Sequence, residues 1–289
     1  MKPKSINNLV RSSEIPVGEG GFAQLDARDF PDFGRGTVWL VGAGPGAPGL
    51  MTLLAYYALT QADAVVYDAL VNDTVLGWAR PDAHMEFAGK RGGRPSAKQQ
   101  DISLRLVELA RENKRVLRLK GGDPYIFGRG GEECQALARA GIAFRIVPGI
   151  TAGAGGLAYA GIPITHRETN HSVLFLTGHG SDGGVPSGVN WEHVAIASPV
   201  IVMYMATRNL PTIAQKLISF GRSGDEPVAV VSNASLPEQS THVTTLAEVC
   251  DSDAIKGVPT PALVVLGDVV NFHETLDWYA EPLRENSVG

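Results

Sequence analysis

The fold is decided by residues 116–149, which read VLRLKGGDPYIFGRGGEECQALARAGIAFRIVPG. Val116–Leu119 is a short apolar run that ends in glycines, and it predicts a buried strand. Glu132–Ala140 has the pattern of a helix that stops at Gly141, and Ala143–Val147 predicts the next strand. A strand, a glycine-rich loop, a helix and a second strand in this order are typical of a parallel α/β sheet covered on both faces.

Strands and helices continue to alternate outward from this stretch. On the amino-terminal side the sequence predicts strands and helices at Val38–Val41, Thr52–Ala62, Ala64–Tyr67 and Asp101–Glu112. On the carboxyl-terminal side it predicts two helices and four strands, at Thr151–Gly161, Asn209–Phe220, Val173–Thr177, Val200–Met205, Val228–Val231 and Leu263–Leu266. The predicted class is therefore α/β, with domains of residues 37–148 and 149–275, a flexible extension of residues 1–36 and a tail of residues 276–289.

Composition excludes several functional classes. Lys and Arg number 25 against 30 Asp and Glu, and the net charge of −5 argues against a nucleic-acid partner. No apolar run approaches the ~20 residues that span a bilayer. Cys134 and Cys250 lie far apart, so neither a disulfide framework nor a zinc site is indicated. We expect a soluble cytoplasmic protein without a membrane partner or a metal.

The first glycine-rich loop, Gly42–Ala47, reads GAGPGA and follows a predicted strand. It satisfies a loose G-x-G-x-x-G/A pattern, so a Rossmann dinucleotide site is one alternative. Pro45 and Pro48 remove backbone N–H donors from the turn that would bind a pyrophosphate. The next helix is predicted to begin only near Thr52, too late to present its amino end to that turn. The pattern therefore disfavours the dinucleotide site.

The second glycine-rich loop, Lys120–Glu133, contains five glycines after a predicted strand. Glycines at the carboxyl end of a strand let a ligand approach the backbone closely. Asp123 precedes a proline, which favours an extended backbone that aims its carboxylate out of the loop. The alternative is that Asp123 only forms a turn, as Asp before Pro often does. The density of glycines favours a ligand loop.

Several motifs in the order found here resemble those of the tetrapyrrole methylases, over about residues 37–270. They are GAGPG at 42–46, YD at 67–68, GKR at 89–91, the 120–133 loop, VPGITA at 147–152, AYAGIPITHR at 158–167, VIVMYM at 200–205, VSNAS at 231–235 and PALVVLGDVV at 261–270. The resemblance implies two α/β domains with S-adenosylmethionine in the cleft between them, rather than a Rossmann site. Members usually carry Asp where this chain has Ala47, so no ligand role is expected for that side chain.

By position, the resemblance assigns a cofactor-binding role to nine residues: Pro45, Gly121, Gly122, Asp123, Ile126, Thr151, Ala152, Met205 and Ala234. Small residues and backbone groups suit adenine and ribose, and apolar walls suit Ile126 and Met205. For Met205 the alternative is ordinary strand packing.

The resemblance also assigns catalytic roles to Asp68 and Lys90, as proton acceptor and proton donor. Methylation of a pyrrole carbon creates a cationic ring, which a carboxylate stabilises and can deprotonate. The alternative is that Asp68 caps a strand end and Lys90 is a solvated charge. Uroporphyrinogen carries acetate and propionate arms, so a cationic pocket is expected from four further residues, Arg91, Arg129, His166 and Arg167.

The implied reaction is S-adenosylmethionine-dependent C-methylation of uroporphyrinogen III, with S-adenosylhomocysteine as the second product. Two transfers through precorrin-1 would give precorrin-2, which feeds sirohaem or cobalamin synthesis. The resemblance suggests a homodimer, and residues 1–36 are too short to encode the extra dehydrogenase unit of some relatives. The alternatives are a later corrinoid methylase, a nicotinamide dehydrogenase and a non-catalytic binding module.

Overall fold

The computed structural model describes residues 30–89 and 99–279. Within them the helices and strands follow one another as β1 (Val38–Gly42), α1 (Leu53–Gln61), β2 (Ala64–Tyr67), α2 (Asp73–Leu76), β3 (His84–Phe87), α3 (Gln99–Arg111), β4 (Val116–Lys120), α4 (Gly130–Arg139), β5 (Phe144–Val147), α5 (Ala152–Tyr159), β6 (Val173–Thr177), α6 (Trp191–Ala197), β7 (Val200–Tyr204), α7 (Leu210–Ser219), β8 (Pro227–Ser232), β9 (Ser240–Thr245), β10 (Ala262–Leu266) and α8 (His273–Leu276). Lys90, Arg91, residues 1–29 and residues 280–289 lie outside the described part.

The first sheet has the strand order β3-β2-β4-β1-β5, and every pair in it is parallel. Alternate residues of its central strands point to opposite faces. Trp39 and Val41 pack against α1 on one face, and Val38 and Leu40 pack against α3 and α4 on the other. This confirms the parallel sheet covered on both faces. The strand order is not that of a Rossmann sheet, and the dinucleotide alternative is therefore wrong.

The second sheet has the order β6-β7-β10-β8-β9 and is mixed. Only β6 and β7 are parallel, whereas β10 lies antiparallel to both of its neighbours. One face buries Ile201 and Met203 against α6 and α7, and the other buries Val200 and Val202 against α5. Each sheet thus has a buried apolar cluster on each face.

Both sheets and the described residues from Phe33 onward belong to one compact unit. Phe33 is 2% exposed and its ring stacks on Trp39 at 4.4 Å, so the packed body begins before residue 37. The division into two domains at residue 148 stays a prediction. No helix among the described residues combines the length and apolar composition needed to cross a membrane.

Five of these helices and strands were not predicted from the sequence pattern: α2, β3, α6, β9 and α8. Strands β3 and β9 lie at the edges of their sheets, with the sequences HMEF and STHVTT and mostly exposed or half-buried side chains. These two edge strands contribute little to a core, and they lack the apolar run that marks a buried strand.

Candidate active site

The two glycine-rich loops meet at the carboxyl edge of the first sheet. Gly42–Ala47 follows β1 and Lys120–Glu133 begins at the end of β4, and these two strands are neighbours. The Gly44 N–H donates to the Gly122 carbonyl at 3.2 Å, and the Gly122 N–H donates back to the Gly44 carbonyl at 2.7 Å. A ligand at this edge would therefore touch both loops at once.

A third segment, the turn after β5, closes on the same place. A Cβ atom built on Gly149 would lie 2.1 Å from the Gly122 carbonyl oxygen, and one built on Gly42 would lie 2.4 Å from it. Real Cβ atoms do not approach oxygen so closely, so only glycine lets the three chain segments touch. The Pro148–Gly149 turn is thus part of the site.

Gly149→Ala is expected to lower the free energy of unfolding by about 1–3 kcal/mol, because the new methyl group must push backbone rather than a side chain. The matched control is Gly131→Ala in α4, where an added Cβ meets nothing within 4 Å. There alanine should be neutral or stabilising by up to about 1 kcal/mol. Chemical denaturation measures both variants, and equal stabilities would contradict the tight contact.

The Asp123 carboxylate joins two of these segments. Its Oδ1 accepts from the Tyr125 N–H at 2.8 Å, which forms a turn, and its Oδ2 accepts from the Gly149 N–H at 3.0 Å. The turn-forming role given as the alternative is therefore present. A carboxylate has about four acceptor positions, so two remain for a ligand. The predicted contact of Asp123 with a cofactor stays a prediction.

Tyr204, the last residue of β7, contacts both the segment after β5 and the second glycine-rich loop. The Tyr204 hydroxyl accepts from the Gly153 N–H at 2.9 Å and lies 2.7 Å from Thr151 Oγ1. Its ring contacts that of Phe127, in the second glycine-rich loop, with centroids 4.8 Å apart. Burial raises the pKa of Tyr204, so this hydroxyl stays protonated. Sequence reasoning missed Tyr204; the signal was a hydroxyl at the end of an apolar strand that needs a partner.

The loop after β8 holds the first glycine-rich loop in place. The Ala47 N–H donates to Ser235 Oγ at 3.0 Å. Next to it, Ala234 packs on α5 so closely that a Cβ on Gly156 would lie 2.7 Å from its methyl group. Pro45 reaches the same helix, 3.4 Å from a Cβ built on Gly155. The loops of both sheets are thereby tied together.

The side chains of Ile126 and Met205, which were predicted to form apolar walls of the cofactor site, are exposed to solvent. Met205 lies just beyond β7 with a φ of +54° and is 51% exposed, so it is not packed as an ordinary strand residue. Ile126, in the second glycine-rich loop, is 36% exposed. Exposed apolar side chains beside close-packed glycines are what a ligand would cover.

Asp68 lies at the end of β2 beside the second loop. Its carboxylate accepts from the Leu70 N–H at 3.1 Å and from the Gly121 N–H at 3.3 Å, and its side chain is 25% exposed. Asp68 therefore caps the end of the strand, which is the alternative role given for it above. It also lies beside Gly121 and Gly122, two of the predicted cofactor residues. Its predicted partner Lys90 is outside the described residues.

Charged side chains are buried directly behind this edge. Glu133 Oε1 accepts from Arg118 Nε at 3.1 Å, from Lys120 Nζ at 3.2 Å and from Gln99 Nε2 at 2.9 Å. Burial, with the neighbouring Arg118 as a second cause, lowers the pKa of Lys120. Sequence reasoning assigned no role to Arg118 or Glu133.

Among the described residues, the ion pair of Arg129 and the cavity beside His166 and Arg167 have no residue in common. Arg129 is exposed and forms a two-point ion pair with Glu132, at 2.9 and 2.6 Å. His166 and Arg167 line a cavity of about 340 Å³ with Thr165, Asn170 and His171, and none of these five belongs to either glycine-rich loop. Arg91 is outside the described part. Among the described residues no group of three or more His, Cys, Asp or Glu side chains is placed to hold a metal ion.

This chain is similar to known proteins both in sequence and in fold. Residues 37–250 match a family model described as Tetrapyrrole (Corrin/Porphyrin) Methylases. A uroporphyrinogen-III C-methyltransferase of Sinorhizobium sp is 62% identical over 248 residues, which are 86% of this chain and 89% of that one. Siroheme synthase 1 of Pectobacterium atrosepticum is 45% identical over 95% of this chain, but the match spans only 57% of that longer protein.

Solved structures of related enzymes have the same fold as this chain. A uroporphyrin-III C-methyltransferase of Thermus thermophilus, complexed with S-adenosylhomocysteine, aligns with a TM-score of 0.71 at 39% identity over 81% of this chain and 99% of that one. A cobalt precorrin-4 methyltransferase aligns with a TM-score of 0.73 at 26% identity over 83% of this chain and 98% of that one.

Proposed function

Because the chain belongs to the tetrapyrrole methylases, we propose that it transfers methyl groups from S-adenosylmethionine to carbon atoms of uroporphyrinogen III. Two successive transfers, through precorrin-1, give precorrin-2 for sirohaem or cobalamin synthesis. The observation that carries the proposal is the 62% identity to a uroporphyrinogen-III C-methyltransferase along nearly the whole of both chains. The meeting of both glycine-rich loops with the turn at Gly149 supports it.

The residues at the carboxyl edges of the two sheets fit S-adenosylmethionine. The exposed side chains of Ile126 and Met205 offer apolar cover, and Asp123 retains acceptor positions for a polar group. The other proposed cofactor residues are small or lie in the glycine-rich loops, namely Gly121, Gly122, Thr151, Ala152, Ala234 and Pro45. The cofactor supplies an electrophilic methyl group on a sulfonium, and the chain has to bind and orient it.

Asp68 is the proposed proton acceptor. When a pyrrole carbon gains a methyl group the ring becomes cationic, and a proton must leave to restore neutrality. A partly exposed carboxylate fixed by the Leu70 and Gly121 N–H groups stabilises that cation and accepts the proton. Lys90 is proposed as the donor, and it lies outside the described residues.

Arg91, Arg129, His166 and Arg167 are proposed to bind the carboxylate arms of the substrate. Arg129 already holds a carboxylate, that of Glu132, in two-point geometry. A propionate arm could take the place of Glu132, since the guanidinium fork suits either. His166 and Arg167 face a cavity large enough for one arm.

Tyr204→Phe is expected to raise the dissociation constant of S-adenosylmethionine about tenfold, because the buried Gly153 N–H and Thr151 hydroxyl lose their common partner. The matched control is Tyr125→Phe, which loses only a 3.5 Å contact with Cys134 Sγ. Calorimetric titration measures both. An unchanged dissociation constant for Tyr204→Phe would contradict the role of this hydroxyl.

The direct test of the proposed function is anaerobic incubation with uroporphyrinogen III and methyl-labelled S-adenosylmethionine. The expected products are a tetrapyrrole with two labelled methyl groups and S-adenosylhomocysteine. Transfer only to a later, ring-contracted intermediate would indicate a corrinoid methylase instead. Cofactor binding without transfer to any tetrapyrrole would indicate a binding module.

A homodimer in the cytoplasm completes the proposal. The free thiols of Cys134 and Cys250 are compatible with a reducing compartment. Light scattering on the purified chain should give twice the 30.6 kDa of one subunit. A monomeric mass in an active preparation would contradict the dimer.

A further inference from the structure

A cluster of buried charges lies directly behind Asp68. We call Arg118, Lys120 and Glu133 the β4 cluster, because two of its members are on that strand. Their side chains are only 4%, 5% and 0% exposed. Glu133 lies on α4, and one of its oxygens, Oε2, is buried with no hydrogen-bond partner among the described residues. Burying three charges is costly, so the cluster calls for an explanation beyond stability.

The β4 cluster contains two positive side chains and one negative one, so one positive charge has no partner within the cluster. That excess faces Asp68: Arg118 Nη2 lies 4.0 Å from Asp68 Oδ2. The guanidinium is fixed on its other sides, since Nε donates to Glu133 and Nη1 donates to the carbonyls of Val66 and Leu119 at 3.3 and 3.2 Å. Arg118 is thus a fixed positive group next to the Asp68 carboxylate, which remains 25% exposed.

We propose that Arg118, which is held in place by Glu133, is a positioning residue for Asp68 and keeps its carboxylate directed at the substrate. The inference rests on the proposed function, because it gives Asp68 the role of proton acceptor. A charge that is anchored by other groups needs no reorganisation when the substrate becomes cationic, so it supports catalysis without contacting the substrate.

The same two strands provide a matched control at their opposite ends. Asp63 precedes β2 and Arg115 precedes β4; Arg115 Nη1 lies 3.7 Å from Asp63 Oδ1. The Arg115 Nε also donates to the Phe33 carbonyl at 2.9 Å. This pair has the same chemistry, but it lies just before the same two strands, at the edge away from both glycine-rich loops.

The test compares Arg118→Lys with Arg115→Lys, each alone and combined with Asp68→Asn, in single-turnover and steady-state methyl transfer with the full chain. Arg118→Lys should lower the rate about tenfold with little change in KM for either substrate, whereas Arg115→Lys should leave it unchanged. In the Asp68→Asn background the tenfold effect of Arg118→Lys should disappear. An undiminished effect there would overturn the proposal.

A second variant and a second measurement guard against misfolding. Arg118→Gln with Glu133→Gln removes one buried charge of each sign and should show the same loss of rate. Amide exchange at Gly121, whose N–H donates to Asp68, should accelerate in both Arg118 variants, while exchange at Tyr125 should not. If no Arg118 variant folds, or if Gly121 exchange is unchanged, Arg118 is only structural. A wild-type protein without methyl transfer would instead refute the proposed function, and the exchange result would still decide the positioning role.

Discussion

Asp68→Asn is expected to lower kcat about 100-fold or more while leaving the KM for S-adenosylmethionine nearly unchanged. The amide still accepts hydrogen bonds from the Leu70 and Gly121 N–H groups, so the local structure is retained. What is lost is the negative charge that stabilises the methylated, cationic ring and accepts its proton, and such groups contribute about 10²–10⁴-fold. Steady-state kinetics with labelled methyl donor measure both constants.

The control for this prediction is Asp63→Asn, at the other end of the same strand. Asp63 contacts Arg80 and Arg115 and accepts from the Arg115 N–H at 2.9 Å. Its loss should lower stability, measured by thermal unfolding, and leave kcat within about twofold of wild type. If the two asparagine variants lose stability equally and keep kcat, Asp68 is only the strand-end cap that its hydrogen bonds also allow.

The sequence predicted the apolar strands well and the two polar edge strands poorly. Strands such as Ala64–Tyr67 and Val173–Thr177 were predicted with the observed ends, because each is an apolar run between turn-forming residues. Thr52 was predicted to cap α1, and its side chain accepts from the Ala55 N–H at 3.2 Å. Strands β3 and β9 escaped prediction because their environment, not their composition, makes them strands.

The candidate site could be predicted only as separate loops. The glycines of both loops were visible, but their mutual contact depends on β1 and β4 being neighbours, which is a property of strand order. The resemblance to the methylases supplied the set of residues, whereas the structure supplied Tyr204 and the second role of Asp123. Buried charges were the largest omission. Arginine and glutamate are usually exposed, so nothing in VLRLK or GGEEC distinguishes Arg118 and Glu133 from surface residues.

Glu133→Ala is expected to lower the free energy of unfolding by about 3–5 kcal/mol at neutral pH, because it removes the buried carboxylate that pairs with both Arg118 and Lys120. The matched control is Glu132→Ala, the adjacent residue. Glu132 is 55% exposed and pairs with Arg129 at the surface. Its loss should cost no more than about 1 kcal/mol.

The loss of unfolding free energy caused by Glu133→Ala should become smaller as the pH rises. Burial already lowers the pKa of Lys120 from its ordinary value of 10.5, and Glu133 partly opposes that shift, so its removal lowers the pKa further. Between this lowered value and 10.5 the unfolded chain binds more protons than the folded one, and stability therefore increases with pH. Denaturation at pH 7 and at pH 9 to 10, for the variant and for wild type, measures the difference. If the difference in unfolding free energy between variant and wild type stays constant or grows with pH, Lys120 remains charged in the folded variant. A group other than Glu133 then stabilises the charged form of Lys120.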